Sequence, residues 1–405
     1  MAALLRAEGR SVTTLPEKQV CVTGAAQSEV ARPSSRSALQ LTADACLAAI
    51  ADAGLSPREI DGIATYPPKS AEGGGIAPVS TSEAAAVLGL NPRWILASGE
   101  GFSHMAPIFN AVTAIACGLA RHVVVFRTVA QASARAQARA STLMSGRGAR
   151  VEGTNAWTVP FNALSPINMF ALYAQAYFDK YGATEAQLGA LAVNARRHAA
   201  HNPAAIYKAP LTLDDYLQSR VISSPLRLYD CDAHVDGATA IVLSHNDAAK
   251  DLRNPPLHIE AMGMAVGGLW AGRHEGDFTS LPAARRAGEM LWSRTSLRPA
   301  DLDCAQLYDG FSIHTWLWME ALGLVPQGEA CRFVEGGTRI GLDGELPLNT
   351  GGGQLSAGRL HGYGHIHEAC VQLWHRGGGR QVADARTCLI SNGGFGYGAM
   401  LLRRD

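Results

Sequence analysis

The chain has 405 residues, 47% of them hydrophobic and only 17% charged, and its 35 Lys and Arg balance 35 Asp and Glu. This describes a compact protein with a large buried core and excludes a disordered chain. Zero net charge gives no reason to expect a nucleic acid or a membrane surface as partner, and the low charged fraction points to surface hidden in a subunit interface. In chain order, the pattern predicts a helix over residues 41–53, a Pro-containing loop and a short strand running into Tyr66. A Gly-rich turn at residues 98–101 precedes an amphipathic helix over 106–120 and a strand over 123–126. An excursion over about residues 128–225 follows. Its part from 131 to 150 reads as a loop or dimer-interface segment, or as a source of arginines for the phosphates of a ligand. A strand over 239–243 ends this half, and the polar stretch 246–256 suggests a division into residues 1–248 and 249–405. The second half reads as a helix over 283–292, a strand into Tyr308, a Gly-rich turn at 350–353, a helix over 361–375 and a strand over 387–390.

The order repeats. Leu55, Pro57, Asp61 and Tyr66 match Leu297, Pro299, Asp303 and Tyr308 at one common offset, each set lying between a helix and a strand. Helices alternating with strands call for a mainly parallel sheet covered on both faces. The expected fold is therefore α/β, two repeated βαβαβ halves packed as a five-layer αβαβα sandwich. Eight cysteines are scattered without CxxC spacing, so neither a zinc site nor a redox pair is visible. The N-terminus lacks an uninterrupted apolar run and no stretch reaches membrane-spanning length, which predicts a soluble, cytoplasmic protein.

Three segments of the second half gather Gly, His, Tyr and Asn where strands end: residues 306–312, 349–365 and 391–398. Ligand sites in open α/β sheets lie there. Tyr308-Asp309-Gly310-Phe311, the segment Asn349…Gly352-Gly353…Gly358-Arg359-Leu360 and the Asn392-Gly-Gly-Phe-Gly396 turn resemble the sterol-carrier-protein-x branch of the thiolase superfamily. Asp236-Gly237-Ala238 resembles its strand entry at the end of the first half. A thiolase needs a cysteine at the helix N-terminus near residue 101, but this chain reads Ser98-Gly-Glu-Gly-Phe-Ser-His104. The positions of the two family histidines hold Tyr308 and Arg359. An acyl-enzyme mechanism is therefore not supported, and Cys117, late in its helix, is not expected to reach the site.

Tyr308-Asp309-x-Phe311 and the long run Gly352-Gly-Gln-Leu-Ser-x-Gly358-x-x-His-Gly362 resemble a subgroup with a similar loss, the thiolase-like aldolases of steroid side-chain degradation, once called lipid-transfer proteins. The resemblance implies a carbon–carbon lyase that cleaves a β-hydroxyacyl-CoA, such as a steroid or another bulky side-chain thioester, to a ketone or aldehyde and a shorter acyl-CoA. It implies no cofactor on this chain, a coenzyme A thioester as substrate, a homodimer or heterotetramer, and a small zinc-ribbon/OB-fold companion that carries the zinc. The residues nominated for catalysis are Tyr308, Arg359, His361 and Asp309. Those nominated for binding substrate are His104, Asn349, Gly353, Tyr363, Asn392 and Gly394. Tyrosine is a poor base at its ordinary pKa near 10; a cation beside it lowers that value, which is the expected part of Arg359. His361 and Asn392 are read as hydrogen-bond donors to the enolate or carbinol oxygen, and His365 and His367 as structural or surface residues. The alternatives are a cysteine-less acyl-CoA acyltransferase and a non-catalytic lipid or acyl-CoA binding protein. For Tyr308 alone, the alternative is a residue that ends its strand and packs in the core, as Tyr66 would.

Overall fold

The computed structural model describes residues 14–66, 75–97, 104–141, 155–163, 165–267, 277–393 and 396–405. The first half opens with β1 (Val20–Gln27) and α1 (Ala38–Asp52). Ser37 and Gln40 start α1 with a reciprocal capping box, each side chain accepting from the other's backbone N–H, which satisfies two donors that the first turn leaves open. There follow β2 (Gly62–Thr65), α2 (Thr81–Leu88), β3 (Trp94–Ala97), α3 (Ala106–Ala116) and β4 (His122–Ala130). The excursion holds α4 (Gln131–Ser141), α5 (Asn155–Thr158), α6 (Pro166–Tyr181), α7 (Glu185–Ala199), α8 (Leu213–Gln218) and the hairpin β5 (Val221–Ser223)–β6 (Leu226–Arg227). Then come β7 (Asp236–His245) and α9 (Asn246–Ala249). The second half is β8 (Leu257–Val266), α10 (Pro282–Trp292), β9 (Cys304–Gln306), α11 (Ser312–Ala321), α12 (Ala330–Val334), α13 (Tyr363–Leu373), β10 (Thr387–Asn392) and β11 (Gly396–Arg403). A division between residues 248 and 249 would pass through α9.

Among the described residues the strands form one nine-stranded sheet in the order β3-β2-β4-β7-β1-β8-β11-β10-β9. The two half-sheets meet at β1 and β8, where Cys21 pairs with His258 and Val22 with Leu257. Reading outward from that seam, β1-β7-β4-β2-β3 is matched by β8-β11-β10-β9, and Leu348 bridges in parallel to Ala305 where a fifth strand would lie. The layers are those of the expected sandwich. α1 packs with α2 on one outer face, α3 and α13 share the central layer, and α10 and α11 with α6 and α7 cover the other outer face.

The repeat extends to its chemistry. Pro57 and Pro299 each open a short 3-10 turn. The Asp61 carboxylate accepts from the backbone N–H groups of Arg121 and His122 at the entry to β4. The Asp303 carboxylate accepts from those of Arg386 and Thr387 at the entry to β10. Tyr66 and Tyr308 stand just beyond β2 and β9.

Two expectations are corrected. The sheet is mixed: β2 runs parallel to β3 and β4, and β9 parallel to β10, but the remaining neighbours are antiparallel. β10 and β11 are adjoining strands joined by a short turn, a connection only antiparallel strands allow, and β7 re-enters beside β4 from the end where β4 left. Residues 131–141 form α4 rather than loop, while 142–150 lie outside the described residues. Of the two readings left open for His365, structural or surface, its burial agrees with the structural one. No helix among the described residues is long and apolar enough to cross a membrane.

Candidate active site

The two central-layer helices deliver one histidine each. His104 lies two residues before α3 and His361 two residues before α13, and their rings stack at 4.7 Å and 22°. His361 sits at φ 50° and Gly362 at φ 81°. A Cβ on Gly362 would lie 2.0 Å from Asn392 Nδ2, so glycine is what lets the turn close against β10. Tyr66 approaches the His104 ring at 5.0 Å.

The strand register supplies a third pair. Gly62 of β2 is level with Val123 of β4, and Cys304 of β9 with Cys388 of β10. Counting four residues on from each partner places Arg127 and Asn392 at equivalent positions of the two halves. Each reaches the histidine of the opposite half. The Arg127 Nη2 group donates to His361 Nδ1. The Asn392 amide donates from Nδ2 to the His361 carbonyl oxygen at 2.9 Å, so its Oδ1 must face His104 Nδ1, 3.3 Å away. A guanidinium has no acceptor and a carbonyl oxygen no donor. The neutral His361 ring therefore carries its proton on Nε2, and the neutral His104 ring carries it on Nδ1, leaving its Nε2 lone pair free.

The electrostatics keep both rings neutral. Burial, then the Arg127 charge, push His104 down to about 3 and hold His361 well below the ordinary imidazole value. Arg127 is itself buried, with its Cζ 4.4 Å from the centre of the Tyr66 ring. Burial brings it down to about 10, opposed by the phenols of Tyr66, Tyr363 and Tyr308. Its Nε and Nη1 atoms are buried without a hydrogen-bond partner, and among the described residues no carboxylate pairs with it.

Tyr308 is placed by its backbone N–H, which donates to Ser391 Oγ at 3.0 Å, and its ring meets His314 edge-on. Burial, reinforced by the Asp232 carboxylate, pushes the phenol up to about 12, while Arg359 acts in the opposite direction. The expected lowering is thus outweighed, for two reasons. The hydroxyl is desolvated, and the nearby cation is already matched by an anion. Arg359 donates to Gln131 Oε1 at 2.9 Å, to Asp232 Oδ2 at 3.2 Å and to His234 Nε2 at 2.8 Å. It ties the 231–235 segment to the site wall, and burial keeps the Tyr308 phenol protonated at neutral pH.

The other nominated residues build the walls. Asp309 accepts from the backbone N–H of Gln354 at 2.9 Å and from His365 Nε2 at 2.9 Å. It braces a π-helical turn, Gly353–Ala357. Gly353 is required there because a Cβ would lie 1.9 Å from Asp309 Oδ2. The Asn349 amide bridges both backbone groups of Leu307 at 2.7 and 2.9 Å, fixing the exit of β9. Tyr363 is buried in the central layer, its hydroxyl without a partner and its pKa raised by burial. Gly394 lies outside the described residues, as does the segment 98–103 where a thiolase nucleophile would stand. Cys117 is exposed beyond the far end of α3. Sequence reading missed Tyr66, set aside as a core residue, and Arg127. The signal for Arg127 was present, since it is a lone charge inside the apolar run Val123-Val-Val-Phe-Arg-Thr-Val129.

Comparison with known proteins identifies the family. Residues 270–401 match the thiolase C-terminal domain-like family. A 17-hydroxy-3-oxo-4-pregnene-20-carboxyl-CoA lyase of Mycobacterium tuberculosis is 34% identical over 88% of this chain and 91% of its own. A steroid side-chain-cleaving aldolase of Thermomonospora curvata is 34% identical over 92% of this chain and 94% of its own. The solved structure of an Ltp2-ChsH2(DUF35) aldolase superposes with a TM-score of 0.86 at 32% identity, covering 97% of this chain and 99% of that one. The chain belongs to this family, the thiolase-like steroid side-chain-cleaving aldolases, and is an enzyme of the carbon–carbon lyase class.

Proposed function

We propose that this chain cleaves a β-hydroxyacyl-CoA carrying a steroid or similarly bulky side chain, by a retro-aldol reaction, to a ketone or aldehyde and a shorter acyl-CoA. The observations that carry the reading are two stacked, neutral imidazoles, one with its proton on Nε2 and the other with an Nε2 lone pair, and a phenol, Tyr308, that burial holds protonated within the field of the same Arg127. His104 Nε2 takes the proton of the β-hydroxyl as the carbinol collapses to a carbonyl. The Cα–Cβ bond breaks and its electron pair passes to the thioester as an enolate, whose oxygen receives the His361 Nε2–H. Tyr308 then returns a proton to Cα, and the phenolate regains it from the His104 imidazolium by way of solvent, so that both groups end as they began. Two proton transfers and one bond cleavage leave no redox change, so the chemistry needs no Schiff base. The relatives' names support the substrate class: one is a carboxyl-CoA lyase and one a steroid side-chain-cleaving aldolase.

The same reading includes a small zinc-ribbon/OB-fold companion subunit, supported by the paired name of the Ltp2-ChsH2(DUF35) aldolase, and a homodimer. Product analysis tests it. Incubation with a steroid β-hydroxyacyl-CoA, with and without the companion, should release equimolar ketone and shorter acyl-CoA. Tyr308→Phe preserves the ring, so folding should survive while turnover falls about a hundred- to ten-thousand-fold. An acyltransferase would instead move the acyl group to a second thiol, and a binding protein would be indifferent to the substitution. Wild-type rates from Tyr308→Phe would remove this mechanism.

A further inference from the structure

Arg127 occupies a position for which the proposed mechanism has so far found no task. It is a charged side chain on the central-layer face of β4, on the side of Val123 and Val125 and opposite Val124 and Phe126. Burying a guanidinium among apolar strands is unfavourable unless something compensates it. Among the described residues the compensation is small: one bond to His361, the face of Tyr66, and two nitrogens left without partners. A cation held this way is set up to receive negative charge that arrives from outside the protein.

We propose that Arg127 is the residue that turns His361 into an oxyanion donor for the thioester enolate. It does so in two ways. By donating to Nδ1 it forces the ring proton onto Nε2 and opposes a second proton, so that a neutral imidazole N–H faces the developing oxygen anion. By staying positive in a buried site it attracts that anion across the ring, which in low dielectric counts for more than in water. The equivalent position in the other half holds Asn392, whose Oδ1 imposes the opposite tautomer on His104. One strand position, filled by Arg in one half and Asn in the other, thus separates two stacked histidines into a hydrogen-bond donor and a proton acceptor. Arg127 is a positioning residue, acting on the reacting atoms through His361.

This assignment rests on the proposed lyase reading, and the enolate half of the reaction tests it apart from cleavage. Wild type, Arg127→Lys and Arg127→Met are compared for deuterium uptake at Cα of propionyl-CoA in heavy water, with no ketone present. Arg127→Met keeps the length of the side chain and removes a buried charge, so the fold should hold, as thermal unfolding would verify. Deuterium uptake should fall about a hundred- to a thousand-fold with the half-saturating thioester concentration little changed, and Arg127→Lys should lie between. Nitrogen-15 spectra of labelled histidine supply the second readout. His361 should be Nε2–H in wild type, and in Arg127→Met should lose that fixed tautomer and protonate at higher pH. Wild-type uptake in Arg127→Met, or an unchanged His361 tautomer, would overturn the assignment and leave the lyase reading standing. Uptake that depends on Arg127 in a protein that cleaves no β-hydroxyacyl-CoA would uphold the assignment and end the lyase reading.

Discussion

At the scale of residues, Tyr308 is governed by opposing neighbours, and the sign of each can be tested. Burial and Asp232 raise its pKa while Arg359 lowers it. A phenol that must be protonated to act supports turnover below its pKa and loses it as pH rises through that value. With the phenol near 12, its ionisation should impose no alkaline loss between about pH 6 and about pH 9. Asp232→Asn removes an anion that raises the phenol and frees Arg359 from its partner, so both changes bring the alkaline limb to lower pH. Arg359→Ala should move the limb the other way. The measurement is kcat against pH for the three proteins; superimposable profiles would show that Tyr308 is not the acid. The sequence made Tyr308, His361 and Asn392 visible because glycine-rich turns at strand ends mark them. It did not make their partners visible, because which atom of Asn392 faces His104, or whether Asp232 neutralises Arg359, depends on strands far apart in the chain.

At the scale of elements, the repeat was legible because its conserved geometry is local. Helix, Pro-initiated turn, Asp and strand follow one another within a dozen residues, and the two aspartates do the same work. Asp61 and Asp303 each hold the two backbone N–H groups that start the next parallel strand. Removing either carboxylate leaves those donors without their acceptor, which costs about 1–3 kcal/mol where they are buried. Asp61→Ala and Asp303→Ala should therefore destabilise the protein by similar amounts, measured by denaturant unfolding. A large loss from one and none from the other would mean that the sequence match carries no common function. The direction of β7 and β11 could not be read in the same way. An apolar run specifies burial, not polarity of the strand, and only the path of the excursion and the short β10–β11 turn makes these two strands antiparallel.

At the scale of the whole molecule, the pseudo-symmetric halves differ at the outer ends of the sheet. In the second half, Leu348 makes only an isolated bridge beyond β9. In the first half, β3 is a complete strand that pairs with β2 on one side and, among the described residues, with no strand on the other. Its exposure alternates, with Ile95 48% exposed and Trp94 and Leu96 partly covered. An open edge of short apolar strand is usually blunted by charge or by proline, or is covered, and Trp-Ile-Leu-Ala has neither charge nor proline. Two copies of the chain related by a twofold axis would cover it by pairing β3 with itself in antiparallel fashion, the self-complementary contact that such symmetry permits. The expected outcome is a dimer whose interface contains β3. Ile95→Lys places a charge directly at that contact while the site residues, all on other elements, remain untouched. Sedimentation velocity should show wild type as a dimer and Ile95→Lys shifted toward monomer, with an unchanged unfolding transition in dilute solution if the halves are stable alone. A wild-type monomer, or an Ile95→Lys variant that associates as tightly as wild type, would place the interface elsewhere or remove it.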